Sequence, residues 1–344
     1  MIYFDSAAAA RPLPCALSAL NSVLTGTWGN PNSSHAVGEA ARKILDASEA
    51  KIRACIGAKS GRLYFFPTAT AAAQTAIFSL TEAGYIVRRN PTEHHSILER
   101  TIAEKNAYTT RRCAYPASTS MTAYATQLAN NETGAILPKP VGTPWLCDAT
   151  AAMGHIPIDV EQLGASYVVA DALKFGGIPG AAFLWVADGA PYTPLVEGGT
   201  FPVALIAAMA AALEWHTEHM DENTKKLEVL QKQFYYHLSE IPKHKWNTPM
   251  LAPHLPHILN ISFSGVDGKA LALLCSKRGV MISAGAACTS GNNEPSHVLM
   301  AMCGDEARAR SAVRISFSHE NTVEEAEQAA KTIAECVAEL RAMS

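Results

Sequence analysis

Apolar positions along the chain follow two alternating rhythms. Between Gly38 and Ile56, the residues Ile44, Leu45, Ser48, Ile52 and Ile56 recur close to helical spacing and Gly57 follows as a stop signal, which predicts a helix. Short apolar or β-branched runs then recur near 62–66, 84–88, 122–129, 144–148, 166–170 and 181–187, with helix-like segments between the first several. Strands alternating with helices predict a mainly parallel sheet covered on both faces.

The stretch from Pro202 to Ile241 reads as one long helix that starts with proline in its first turn and turns charged after Glu214. Such a helix leaves a core, crosses the surface and bridges two domains. Beyond the proline-rich loop from Pro249 to Pro256 the pattern predicts strand (257–264), helix (267–278), strand (280–284), helix (295–302), strand (312–317) and a final helix (322–342). Thr322 and Glu325 have capping-box spacing at the start of that last helix. The C-terminal part therefore reads as a smaller α/β domain.

Composition narrows the function classes. The 344 residues carry 28 Lys plus Arg against 31 Asp plus Glu, a net charge of −3 that gives no nucleic-acid footprint. With 48% hydrophobic and 17% charged residues, neither disorder nor a repeat array fits. The longest apolar run, Val203 to Leu213, is shorter than the roughly 18 residues of a membrane span. The N-terminal stretch has an acid at Asp5 and no basic region before an apolar one, so a cytoplasmic location is expected. Cys15, Cys55, Cys113, Cys147, Cys275, Cys288, Cys303 and Cys336 lie far apart without a C-x-x-C pair, which argues against a zinc site and a disulfide framework.

Four residues stand where they can do chemistry. Lys174 follows the apolar run SYVVADAL and precedes a glycine-rich turn, and a partly buried lysine amine at a strand end can form a Schiff base, although a solvated surface lysine fits the same pattern. Asp148 closes the strand-like PWLCDAT and either faces a ligand crevice or caps the following turn. His94, in EHHSILE, suits stacking on a ring or a structural helix start. Asn131, in NNETGAI, suits donation to a phenolic oxygen or an asparagine turn.

The order His94, Asn131, Asp148, Lys174, with GNPNSSH (29–35), CDATAAMGHIPIDV (147–160), ALKFGGIPG (172–180), LNISFSGVDG (259–268), AGAACTSGNNEPSHVL (284–299) and SAVRISF (311–317), resembles cysteine desulfurases of the NifS and IscS type. The matching segments span nearly the whole chain. The resemblance implies an α/β fold type I pyridoxal-phosphate transferase: a large domain (16–245) with a mainly parallel seven-stranded sheet, and a small domain made of 1–15 with 246–344. It implies that pyridoxal phosphate is anchored on Lys174, with its ring nitrogen on Asp148, its ring under His94 and its phenolic oxygen at Asn131. Ala69 and Thr70 would meet its phosphate by their position at a helix start, and Thr200 would reach the phosphate of a neighbouring subunit. Arg314 would hold the substrate carboxylate, a task that suits a planar guanidinium. Cys288 would take sulfur from L-cysteine as a persulfide, leaving L-alanine, and its loop of small and polar residues has the composition of a mobile arm. A homodimer and a sulfur-acceptor protein, such as an iron-sulfur scaffold, complete the implied picture.

The family's pattern is broken mainly around one chemical group. A serine and a histidine that bind the phosphate are here Asp171 and Leu173, a glutamine three residues past the ring aspartate is Ala151, and the loop PTATA keeps Thr70 but has Ala71 at an acidic position. A stretch before Thr200 is shortened, and two N-terminal threonines are Ala9 and Ala10. An ionised aspartate accepts hydrogen bonds, donates none, and repels a phosphate dianion. These losses motivate a second reading, a desulfurase-fold protein with weakened cofactor binding that serves as a partner-binding or regulatory subunit; another pyridoxal-phosphate lyase, such as one acting on selenocysteine, is the remaining alternative.

Overall fold

The computed structural model describes residues 1–103, 121–285 and 294–343. In chain order the described elements are β1 (Ile2–Tyr3), α1 (Pro14–Gly26), α2 (Ala36–Cys55), β2 (Arg62–Phe66), α3 (Ala69–Glu82), β3 (Ile86–Arg89), α4 (His95–Leu98), β4 (Ile102–Ala103), β5 (Thr122–Gln127), β6 (Trp145–Asp148), α5 (Val160–Leu163) and β7 (Tyr167–Asp171). After a 3₁₀ turn (Ala172–Phe175) come β8 (Ala182–Val186), α6 (Val203–Glu218), α7 (Met220–Ser239), β9 (His244–Trp246), β10 (Ile258–Phe263), α8 (Gly268–Lys277), β11 (Val280–Met281), β12 (Ser283–Ala284), α9 (His297–Cys303), α10 (Glu306–Arg310), β13 (Ala312–Ser316) and α11 (Val323–Ala342).

The large sheet has seven strands in the order β2-β8-β7-β6-β5-β3-β4 and is parallel except at β8, which runs against both β7 and β2. Every residue of β5, β6 and β8 is buried, as continuous apolar runs between two helical layers require. On one face α3 presents Ala72, Ala73, Ala76 and Ile77 to Tyr167, Val169 and Leu184, its small residues allowing close approach. On the other, Ile52 of α2 and Met209 of α6 join Trp145, Val168 and Phe183. The expected seven-stranded, mainly parallel sheet is thus present.

Residues 202–241 differ from the single helix expected. They form α6 and α7, broken at His219, whose φ of −108° and ψ of 11° depart from helix geometry. Pro202 stands just before α6 rather than inside its first turn. The expected strand at 280–284 is also divided, because β11 pairs with β1 while β12 pairs with β13. Not predicted from the sequence are α1 and the short elements β4, β9 and α10, which are too brief to show a period.

A second sheet, in the order β12-β13-β10-β9 and antiparallel throughout, packs against α7, α8 and α11. Its core includes residues from both ends of the chain: Phe4 meets the edge of Phe234 at 4.9 Å between ring centroids, and Phe234 stacks on Phe317 at 5.4 Å. The backbone beside Phe4 is tied down as well, with Phe4 N–H donating to Met281 O (2.9 Å) and Phe4 O accepting from Ser316 N–H (2.8 Å). This anchorage fixes where residues 5–8 run, and they run into the crevice described next.

Phe4→Ala should therefore cost about 3–5 kcal/mol, as for a large ring removed from a core that relaxes only in part. Urea unfolding monitored by tryptophan fluorescence measures it. A loss below about 1 kcal/mol would show that the N-terminal segment is held by its backbone bonds alone.

Candidate active site

The carboxyl ends of β5, β6 and β7 open into a cavity of about 340 Å³, the usual ligand position in an open α/β sheet. Ala69, Thr70, His94, Asn131, Asp148, Lys174 and Arg314 all line it, so seven of the residues singled out in the sequence meet in one place. Thr200 lies on an exposed loop and is not among the lining residues. Cys288 falls outside the described residues.

Local structure explains how each group arrives. β7 ends at Asp171, whose carboxylate caps the 3₁₀ turn by accepting from Leu173 N–H at 3.0 Å. Gly176, at φ 73°, ends the turn in a conformation that favours glycine. The turn points Lys174 at the N-terminal segment, where Nζ donates to Ala7 O (3.0 Å) and Ala8 O (2.7 Å). Asp148 ends β6 and turns one oxygen to Thr150 N–H at 3.0 Å. It both caps and faces the cavity, so the two sequence readings describe one residue.

His94 is the N-cap of α4, with Nδ1 accepting from Ser96 N–H at 3.2 Å. Burial lowers its pKa, and the charge of Lys174 adds to that while Asp148 opposes it. A neutral ring with its proton on Nε2 follows. Asn131 is clamped by Gln127: its N–H donates to Gln127 Oε1 (3.1 Å) and its Oδ1 accepts from Gln127 Nε2 (3.3 Å). Arg314, 2% exposed, donates to Asp5 Oδ1 and to Asn131 O, both at 2.9 Å. Its Nε has no hydrogen-bond partner among the described residues, which leaves a buried donor for a ligand.

Sequence reasoning missed Gln127, Glu93 and Asp5. Gln127 is an amide closing a wholly buried strand, and Asp5 is an acid shortly before a run of alanines, both readable signals. Glu93 is wholly buried and carried no such signal. Its oxygens accept from Gln127 N–H (2.6 Å) and Asn90 Nδ2 (3.1 Å). Burial pushes its pKa up to about 8, the Gln127 N–H works against that, and the charge of Asp148 adds to it. His257 is held near 3 by burial and by the Arg314 charge, and it stacks on His155 at 3.6 Å between centroids.

The profile of the family described as "Aminotransferase class-V" matches residues 2–195 and 189–328. The chain belongs to the class-V aminotransferase family. Among its relatives, a cysteine desulfurase of Gluconacetobacter diazotrophicus is 30% identical, with all of this chain and 95% of that protein covered. A cysteine desulfurase IscS of Methanosarcina thermophila is 27% identical over all of this chain and 93% of its own length. Among solved structures, a NifS-like protein superposes with a TM-score of 0.87 at 26% identity, covering 98% of this chain and 99% of that one. The fold is that of type I pyridoxal-phosphate enzymes.

Class-V aminotransferases depend on pyridoxal phosphate, so the cavity can be tested against that group. The ring end fits: a lysine amine, a carboxylate at 6% exposure, a neutral imidazole and an amide pair stand around it. The phosphate end differs, because the Ala69 N–H at the start of α3 already donates to Asp171 Oδ2 at 3.0 Å.

Glu93 makes a pH prediction. Unfolded, it ionises near 4.5, whereas folded it keeps its proton to about 8, so its stabilising contribution is complete below the first value and is lost as pH rises through the second. Glu93→Gln, neutral at every pH, should flatten the fall of the urea midpoint between pH 5 and pH 8. An unchanged slope would mean that Glu93 is ionised in the fold.

Proposed function

We propose that this chain is a cysteine desulfurase that converts L-cysteine to L-alanine and carries the released sulfur as a persulfide on Cys288. The observation that carries the reading is the meeting of Lys174, Asp148, His94 and Arg314 around one cavity in a chain similar to cysteine desulfurases along its whole length.

When bound, pyridoxal phosphate supplies an electron-withdrawing ring. The chain's part is to position and to move protons. Asp148, a buried acceptor at the strand end, suits a protonated ring nitrogen, and neutral His94 offers a flat face and an Nε2 proton. Lys174 Nζ, held between two carbonyl oxygens, stands ready to attach the cofactor and then to take or return a proton. The free Nε of Arg314 is the donor left for the substrate carboxylate. The Cys288 thiolate attacks the substrate sulfur; the carbon–sulfur bond breaks, its electron pair goes to carbon, and a proton on that carbon yields alanine. The sulfur stays on Cys288 as a persulfide for an acceptor with a thiol, such as an iron-sulfur scaffold protein.

Two arrangements accompany this reading. Thr200 lies on an exposed loop outside this chain's own cavity, which supports a homodimer in which it reaches the partner's cavity. The large domain spans 16–245 and the small one 1–15 with 246–344, although α7 packs with the small core. Among the described residues no helix is long and apolar enough to cross a membrane, and a cytoplasmic place agrees with thiol chemistry in a reducing compartment.

Cys288→Ser should abolish sulfide release and persulfide formation while leaving cofactor absorbance in place, because a serine hydroxyl stays protonated and is a weak nucleophile toward sulfur. Mass spectrometry after incubation with cysteine locates the added sulfur; finding it on Cys303 or another cysteine would move the chemistry. Arg314→Lys keeps a cation for Asp5 but loses the fork, and should raise KM for cysteine about 10- to 100-fold, the worth of one charged hydrogen bond. An unaltered KM would remove Arg314 from substrate binding.

A further inference from the structure

The start of α3 is the only helix start of eight or more residues, among the described residues, that lines the cavity, and its anion seat is filled from within. Asp171 bridges two elements: one carboxylate oxygen accepts from Leu173 N–H and the other from Ala69 N–H, each at 3.0 Å. Thr68 Oγ1 takes the Ala71 N–H at 3.2 Å and Thr68 O takes the Ala72 N–H at 3.2 Å. The last of these is the ordinary first bond of the helix; of the three N–H groups ahead of it, at Ala69, Thr70 and Ala71, two are therefore engaged by side chains before any ligand arrives. A carboxylate supplies only acceptors, and it lies where the helix charge favours an anion.

The charges lining the cavity point the same way. Its basic residues are Lys174, whose amine is the cofactor's attachment point, and Arg314, whose charge is paired with Asp5. A phosphoryl dianion brought to α3 would meet the Asp171 carboxylate, and among the described residues that line the cavity no lysine or arginine other than Lys174 and Arg314 stands there to offset it. A free hydroxymethyl group there would instead donate its O–H to Asp171.

We propose that Asp171 sets cofactor selection in this chain: its carboxylate holds the phosphate seat, so that the phosphate ester loses the affinity it would otherwise gain there over unphosphorylated pyridoxal, whose 5′-hydroxyl can donate to Asp171. The proposal rests on the reading that the cavity takes a pyridoxal aldehyde on Lys174. It makes Asp171 a residue that discriminates between cofactor forms, and it accounts for Leu173 as an apolar neighbour with no anion to bind.

The test titrates apoprotein with pyridoxal phosphate and with pyridoxal, reading the visible absorption and the borohydride-fixed mass on the Lys174 peptide. The ratio of the two dissociation constants is compared between the wild type, Asp171→Ser and Asp171→Asn; the asparagine keeps an acceptor for one backbone N–H in case serine does not fold. Both variants should shift the ratio at least tenfold toward the phosphate ester, with pyridoxal binding unimproved. An unchanged ratio, with adducts formed, overturns the role of Asp171 and leaves the desulfurase reading standing. No Lys174 adduct with either aldehyde in any of the three proteins would instead remove the desulfurase reading, and this proposal with it.

Discussion

The ion pair between Asp5 and Arg314 is the contact on which the rest of the cavity depends. Arg314 is almost fully buried, and a guanidinium removed from water needs a partner of opposite charge and further acceptors. Asp5 supplies the charge, Asn131 O supplies a second acceptor, and Ser283 Oγ donates to the same Asp5 oxygen at 2.8 Å. One buried charge thus joins the N-terminal segment, the small sheet at β13 and the loop after β5. Because Asp5 is fixed, the carbonyls of Ala7 and Ala8 are fixed, and with them the position of the Lys174 amine.

Around that pair the electrostatics follow from burial. Glu93 and Glu132 are both raised by burial, Glu132 with Ser296 Oγ donating to it at 2.6 Å. His155, His216 and His257 are pushed the other way by burial and stay neutral. The cavity therefore keeps few net charges of its own: Lys174, Arg314 with its Asp5, Asp148 and Asp171. In a site of low dielectric, each of these acts on the others more strongly than it would in water.

Much of this was legible in the sequence, for reasons that differ between fold and site. Strands β2, β3 and β5 to β8 were readable because a sheet covered on both faces demands apolar runs, whereas β4, only two residues long, left no such run; Lys174, Asp148 and His94 stood beside motifs that resembled a family. The break at His219 was not readable, since α6 and α7 carry one continuous helical pattern and the break comes from each helix packing on a different core. Gln127 and Asp5 act through long-range partners, which a linear pattern does not display. Asp171 showed itself as a departure from the family, but that its two oxygens span β7 and α3 is a fact of three-dimensional geometry alone.

The ring cluster of Phe4, Phe234 and Phe317 bears on how the molecule is made as well as on how it stands. Asp5 and Arg314 are 309 positions apart, and Phe4 finds its partners late in the chain. During synthesis the first residues leave the ribosome long before the strand that receives them, so the large sheet can form while the cavity still lacks one wall. Lys174 is then without the two carbonyls that position it, and the cavity is completed only when β13 has been translated. The wall of the crevice is in this sense among the last parts of the molecule that synthesis can complete.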